Sequence, residues 1–373
     1  MKTDPIGLYV HIPFCLKKCN YCDFCSYTDV EDDLRRRYID ALIEEIHSYK
    51  KTPKIKANTV FFGGGTPTLL TCRELSNILS SIRETFDVVP ESEITMEMNP
   101  KTANQEKLAD FYKLGVNRIS IGMQSIHENE LKKLGRIHNY NDFLLAFNTA
   151  KQAGFNNISV DIMYGIPEQT KESFKETIDT VLLLKPQHIS VYGLILEENT
   201  PFWSLRSELP LPSEDDECDM YYYVADALGK AGYSHYEISN YSQPGYSSRH
   251  NLKYWHCGEY IGFGLSAYSY FNGERFGNAA SFEEYFQNKE TKYYREKISV
   301  SDREYEYAML ALRLKEGISL KKYSNAFGKK FTDGREEILR KYIDTGNIIL
   351  TDEKLMLTEK GFYISNTILT DLL

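Results

Sequence analysis

The sequence predicts an α/β fold, with strand and helix units alternating over residues 1–200, a linking region over 201–300 and a small α+β unit, winged-helix-like in outline, over 301–373. Three observations lead there. Short β-type runs alternate with stretches of helical period, the helical stretches carry capping residues at their ends, and the strand-like runs are polar on one side only.

The β-type runs fall at residues 8–12, 59–62, 93–98, 118–123, 158–164 and 188–196. Between the first two, Leu34, Tyr38, Ala41, Leu42, Glu45 and Tyr49 lie mostly on one helical face. Leu75, Ile78, Leu79, Ile82 and Phe86 do so more cleanly, behind Thr71-Cys72-Arg73-Glu74, which has the spacing of a capping box. Further helices are predicted over 104–114, closed by Gly115, over 141–153, closed by Gly154, and over 171–184, ending near Pro186. Strict alternation of this kind requires parallel strands with right-handed crossovers, which leaves an open doubly wound sheet or a curved barrel.

The strands separate these two. A parallel sheet covered on both faces reads as continuous apolar runs. Here Thr95, Glu97 and Asn99, then Ser120, Gly122 and Gln124, then Ser159 and Asp161, then His188, Ser190 and Tyr192 recur with period two between apolar neighbours. That pattern favours a barrel whose interior holds a polar ligand; the alternative is a sheet face open to solvent.

Beyond residue 196 the rhythm stops. An acidic cap at 213–217 opens a helix to about Gly232, a strand is expected at 233–241, and a glycine- and aromatic-rich stretch runs to Phe276. From about Ser301 come three short helices, a hairpin of 347–350 with 354–357, and a last helix. The candidate recognition helix, 333–345, has mixed charge, so the winged-helix outline does not argue for DNA.

Composition narrows the classes. The 373 residues carry 44 Lys and Arg against 53 Asp and Glu, a net charge of −9, which excludes a generally basic nucleic-acid binder and argues against tight docking on anionic lipid through a broad basic surface. No apolar stretch approaches the roughly 18 residues of a membrane span, and the N-terminus leads into no signal-type apolar region, so a cytoplasmic protein is expected. With 28 Tyr and 19 Phe the chain has rings to spare for a flat, partly polar ligand pocket as well as a core.

Four of the seven cysteines, Cys15, Cys19, Cys22 and Cys25, crowd together after the first strand. In a chain without a secretory signal this favours metal ligation over disulfides. Cys15, Cys19 and Cys22 have the spacing C-x3-C-x2-C. Three thiolates can hold three irons of a [4Fe-4S] cluster and leave the fourth open to a chelating small molecule. A zinc site more often uses paired C-x2-C motifs, and no second pair follows.

This loop resembles that of the radical S-adenosylmethionine (radical SAM) superfamily, and the resemblance is closer to the subgroup holding the oxygen-independent coproporphyrinogen oxidases and their heme-chaperone relatives. It covers nearly the whole chain: YVHIPFC at 9–15, FFGGGTPT at 61–68, EMNP at 97–100, RISIGMQS at 118–125, DIMYGIP at 161–167 and HNLKYW at 250–255. The resemblance implies a partial (β/α)6 radical SAM barrel, a [4Fe-4S] cluster on Cys15, Cys19 and Cys22, and SAM chelating the open iron through its amino and carboxylate groups. Gly64, Gly65 and Thr66 would lie along the methionine part of SAM, and Tyr9, Tyr21, Glu97, Gln124, Arg136 and Asp161 match the family's other SAM-contacting positions. Physically, glycines after a strand expose backbone amides and allow close approach of a ligand, or simply make a tight turn. Three of these positions, Glu97, Gln124 and Asp161, belong to the polar face already found from period alone. The implied chemistry is reductive cleavage of SAM to methionine and a 5′-deoxyadenosyl radical that abstracts hydrogen from a substrate.

Two features favour the chaperone branch. The oxidases resembled here carry a long extension before the cluster loop and a fourth cysteine in C-x-C with the third; here 14 residues precede Cys15 and Phe24 stands at that position, with Cys25 one residue late. His250-Asn251-Leu252-Lys253-Tyr254-Trp255 matches the HNxxYW motif linked to heme in the chaperones, which implies His250 as an axial ligand; His256 and Cys257 stand close enough to be rivals. The expected function is therefore heme binding and delivery to respiratory hemoproteins. The alternatives are oxidative decarboxylation of coproporphyrinogen III and a radical reaction on heme itself. Dimerisation is left open.

Overall fold

Period two along the strands decides the layers. In the computed structural model, which describes residues 4–287 and 293–373, six strands, β1 (Ile6–Ile12), β2 (Lys56–Gly64), β3 (Asp87–Met98), β4 (Arg118–Gln124), β5 (Ile158–Tyr164) and β6 (His188–Gly193), pair parallel in chain order. Their outward residues, among them Val10, Phe62, Met96, Ile121, Val160 and Ile189, are fully buried under helices. These are α1 (Asp32–His47), α2 (Cys72–Thr85), α3 (Gln105–Leu114), α4 (Glu128–Lys133), α5 (Tyr140–Gln152) and α6 (Lys171–Leu184). The other face turns inward. Register sets Glu97, Ser120, Ser159 and His188 side by side on β3 to β6, with Gly122, Asp161 and Ser190 one layer above. In the linear strand order β1 and β6 do not pair, so the barrel is open, as expected.

The helices follow from their local sequence. In α2 the Thr71 side chain accepts from the Glu74 amide while the Glu74 carboxylate accepts from the Thr71 amide. Leu75, Ile78, Leu79 and Ile82 are buried behind that cap, each contributing about 1.5–3 kcal/mol by leaving water. Gly115, at φ +111, ends α3 in the left-handed conformation that a side chain disfavours.

Three expectations need correction. The run 188–196 stops being strand at Gly193, which pairs with Tyr164, the last residue of β5; the Leu194 amide still donates to the Tyr164 carbonyl at 2.8 Å, and there β5 ends. The single strand expected at 233–241 is a hairpin, Ser234–Glu237 with Asn240–Ser242, the latter antiparallel to β6. Its turn is fixed from far away, where the Ile238 amide donates to the Arg313 carbonyl at 2.9 Å. The short α4 was not expected either. Its Glu130 is buried and accepts from Ser125, Ser173 and Gln169, three partners spread over two other segments.

Segments of 201–300 extend both edges of the sheet. Tyr260–Phe263 runs parallel to β1, and Tyr268–Phe271, Glu274–Gly277 and Tyr294–Lys297 follow antiparallel. The C-terminal unit, 301–373, has its own core around Tyr323, Phe331, Leu355 and Phe362. It holds the expected helices, Val300–Ala311, Leu320–Phe327 and Glu336–Asp344, and the hairpin of Ile348–Leu350 with Lys354–Leu357, plus a short strand, Ile318–Ser319, too brief to leave a pattern. Among the described residues no helix is long and apolar enough to cross a membrane.

Candidate functional site

The loop after β1 leaves the barrel and returns to it. The Cys15 amide donates to the Tyr27 carbonyl at 2.9 Å, the Tyr27 amide to Pro13 at 2.7 Å, and the Asn20 amide to Leu134 at 3.0 Å. The segment after β2 braces it: the Gly65 amide donates to Ile12 at 2.8 Å and the Thr66 amide to Phe14 at 2.7 Å. A Cβ on Gly65 would lie 2.7–2.9 Å from the backbone of Phe14 and Ile12, and one on Gly64, at φ +106, would strike the His11 ring at 2.4–2.8 Å. The amides of 64–66 are therefore bonded within the protein, Gly64 to Glu97 Oε2 at 3.1 Å, and what the glycines supply is closeness between two loops.

These loops roof the C-terminal mouth of the barrel over a cavity of about 340 Å³. Ten of the twelve positions that the resemblance assigned to cluster and SAM line it: Cys15, Cys19, Tyr21, Cys22, Gly64, Gly65, Glu97, Gln124, Arg136 and Asp161. Two stand behind the wall. Thr66 lies 3.6 Å from the Cys15 sulfur through its hydroxyl and accepts from Asn99 at 2.9 Å. Tyr9 sits deeper in the barrel, its hydroxyl 3.0 Å from His11 Nδ1, and His11 Nε2 lies 2.7 Å from the Cys25 carbonyl oxygen. Cys25 turns its thiol away from the cavity, donating to the Ala280 carbonyl at 3.2 Å.

The walls carry charges in tension. Burial pushes the Glu97 carboxyl up to about 7, with the Asp161 charge adding to the rise. Asp161 is also raised by burial, against hydroxyl donors that include Ser120 at 3.0 Å. Arg136 supplies the positive side, donating to Cys19 Sγ at 3.5 Å and to the Gly122 carbonyl at 2.8 Å. Gln124 has φ +70 at a bulge between β4 and β5, a strain of about 1–3 kcal/mol of the kind that collects at functional sites. Sequence reasoning left out the cavity's outer rim, where Leu194, Ile195 and the exposed Phe24 add apolar surface to polar walls; aromatic and aliphatic residues in loops leave no periodic signal.

The donor set suits a cluster. Among the described residues no three His, Cys, Asp or Glu side chains converge on a single metal ion, whereas Cys15, Cys19 and Cys22 share one cavity wall, as ligands to three separate irons would. Burial raises the thiol of Cys15 and pushes that of Cys22 up to about 11, so without metal both keep their protons, and metal binding would release them.

His250 is placed elsewhere. It is 1% exposed beneath the barrel, with Nδ1 2.8 Å from Thr59 Oγ1, Nε2 2.8 Å from the Tyr254 hydroxyl, and its ring stacked on Phe61. Both ring nitrogens are engaged, so in this conformation it offers no lone pair to an incoming iron. His256 is paired with Glu316 at 2.9 Å on the surface, and Cys257 lines a second cavity.

An α/β barrel roofed by a three-cysteine loop defines a radical SAM protein. The profile of the radical SAM superfamily matches residues 9–181, and that of the HemN C-terminal domain matches 298–364. The fold is that of coproporphyrinogen III oxidase (HemN) from Escherichia coli, with a TM-score of 0.87 over 99% of this chain and 90% of that one at 22% identity. Among curated proteins, the chain is 36% identical over 372 residues to heme chaperone HemW of Lactococcus lactis, covering 99% of this chain and 97% of that protein, and 35% identical to HemW of Bacillus subtilis, covering 96% and 97%. The chain belongs to the HemW family of radical SAM proteins. Membership brings a [4Fe-4S] cluster and SAM as cofactors.

Proposed function

We propose that the chain is a heme-binding radical SAM protein that delivers heme to hemoprotein acceptors of the respiratory chain, working in the cytoplasm. The single observation that supports the cofactor half is the shared cavity: Cys15, Cys19 and Cys22, which would hold the cluster, line it together with Glu97, Gln124, Arg136 and Asp161 of the barrel. Bound SAM supplies, on one-electron reduction, a carbon radical able to abstract hydrogen. The protein's own part is placement. Arg136 holds positive charge beside the Cys19 sulfur, Glu97 and Asp161 offer acceptors for amino or hydroxyl groups, Gly64 and Gly65 keep the roof close, Tyr21 covers the side, and Tyr9 and Thr66 brace the wall from behind.

The heme half is supported by the HemW relatives, which match the chain along almost its full length. The second reading, decarboxylation of coproporphyrinogen III, is supported by likeness of fold to an oxidase at 22% identity, and a fold hosts many activities. Anaerobic reconstitution with iron and sulfide, followed by heme titration and by product analysis with SAM and coproporphyrinogen III, separates them. Stoichiometric heme uptake without decarboxylated product is expected. Turnover to protoporphyrinogen with negligible heme uptake would overturn the proposal. Sedimentation with and without heme tests whether delivery involves a homodimer.

A further inference from the structure

A second cavity, of about 530 Å³, opens between the turn after the helix Arg249–Trp255 and the helices Val300–Ala311 and Leu320–Phe327. Its volume lies within the roughly 300–1,000 Å³ usual for small-molecule sites. It shares no lining residue with the cavity under the cysteine loop.

Three features of its walls select a ligand. The first is flat aromatic surface on two sides: Tyr254 and Tyr260 meet edge to face with centroids 4.6 Å apart, and Tyr307 and Phe327 do the same at 5.7 Å. Such walls suit a broad planar π-system. The second is a soft donor. Cys257 is half-buried in the lining and held at φ +54, a backbone conformation that costs a non-glycine residue energy and persists only where its surroundings fix it. The third is unmatched positive charge. Arg275 is neutralised by Glu306 at 2.9 Å, but Arg303, exposed in the lining, has no ion pair or side-chain hydrogen bond among the described residues. A guanidinium so placed can take a carboxylate in two-point contact.

We propose that this cavity is the heme site, with the porphyrin plane against the tyrosine walls, the Cys257 sulfur on the iron and a propionate on Arg303. The inference rests on the heme-binding function proposed above and adds where, and through which ligand. As the sulfur–iron bond forms, the thiol gives its proton to solvent and the iron keeps its oxidation state. The HNxxYW motif then divides its work. His250 ties the helix to the barrel through Thr59 and, by its amide, through Glu93 at 3.0 Å, and it holds the Tyr254 hydroxyl while the Tyr254 ring forms the cavity wall. His250 is thus a positioning residue.

The test uses the full-length, cluster-reconstituted protein titrated anaerobically with ferric heme and read by optical and electron paramagnetic resonance spectra. The wild type should bind heme stoichiometrically with the signature of a thiolate-ligated iron. Cys257→Ser should lose that signature and bind about tenfold more weakly. Ala326→Trp, which drives an indole into the cavity from an exposed position, should abolish stoichiometric binding while cluster absorbance and SAM binding stay unchanged. Stoichiometric heme with the same spectrum and affinity in both variants would overturn this site and leave the chaperone reading standing. So would a histidine-type spectrum lost only in His250→Gln. Absence of stoichiometric heme in the wild type would overturn both.

Discussion

Glu97 shows how much chemistry one residue can hold. It projects from β3 into the main cavity, accepts from the Gly64 amide, and is pushed up to about 7 by burial and by Asp161. A buried acid with a raised pKa opposes folding once the unfolded chain has lost its proton. Between pH 4.5, the ordinary value, and about 7 the native state holds a proton that the unfolded chain does not, so stability falls as pH rises through that window and levels off above it. In the SAM-free protein Glu97→Gln should therefore gain on the wild type by about 2 kcal/mol across the window, a figure reduced for water in the open cavity. Urea unfolding at several pH values checks this; curves that stay parallel would sink it. His250 poses the opposite case. Losing its ring removes two buried hydrogen bonds and a stacking contact, so His250→Ala should cost about 3 kcal/mol in the same assay. Glu97 was legible from period two along its strand. The setting of His250 was not, because Thr59 lies 191 positions away and only the assembled barrel brings them together.

At the scale of elements, the cysteine loop owes its shape to the strand beside it. The loop's own backbone bonds join its two ends, Cys15 to Tyr27 and Tyr27 to Pro13, and close a turn from Cys22 to Cys19; the amides of Gly65 and Thr66 add two more from outside. Gly65→Ala would place a methyl 2.7–2.9 Å from backbone atoms that have no side chain to swing aside. Overpacking of this kind costs about 1–3 kcal/mol, and the strain should appear locally, as poor iron loading per chain after reconstitution, with helical circular dichroism preserved. Full iron loading in Gly65→Ala would show that the two loops can separate without harm to the site. The sequence announced this region through spacing, C-x3-C-x2-C and a glycine run, but the glycines' task reads differently in three dimensions, since the Gly64 amide serves Glu97 and the Gly65 amide serves Ile12 at the start of the cysteine loop. Helices were the easiest elements to read. The capping box at Thr71 and the left-handed Gly115 are local events, whereas α4 and the hairpin at Ser234 depend on partners in other segments.

For the whole molecule the question is how two cores act as one. The barrel core and the core of the C-terminal unit meet where Tyr221, on the helix Glu214–Lys230, packs with the second core while its neighbours Met220 and Val224 belong to the first. Glu359 crosses the same seam, bonding His235 of the edge hairpin at 2.9 Å and Lys315. Although burial works to raise the carboxyl, these partners prevail and hold it at about 2, against an ordinary 4.5. A lowered acid stabilises the native state fully above the unfolded value and stops doing so as pH falls through the folded one. The side chain is 38% exposed, which limits the contribution to about 1 kcal/mol. Glu359→Gln should then lower the midpoint of thermal unfolding at pH 7, and the gap to the wild type should shrink steadily as pH drops from 4.5 toward 2. Because the second cavity lies along the same junction, between the turn at Cys257 and the helices of the C-terminal unit, heme that binds there should restore much of the loss in Glu359→Gln, by favouring the state in which the two parts are closed on each other. Differential scanning calorimetry of both proteins, with and without heme, measures this directly. Equal heme-induced shifts in wild type and variant would mean that the seam and the cavity are energetically independent.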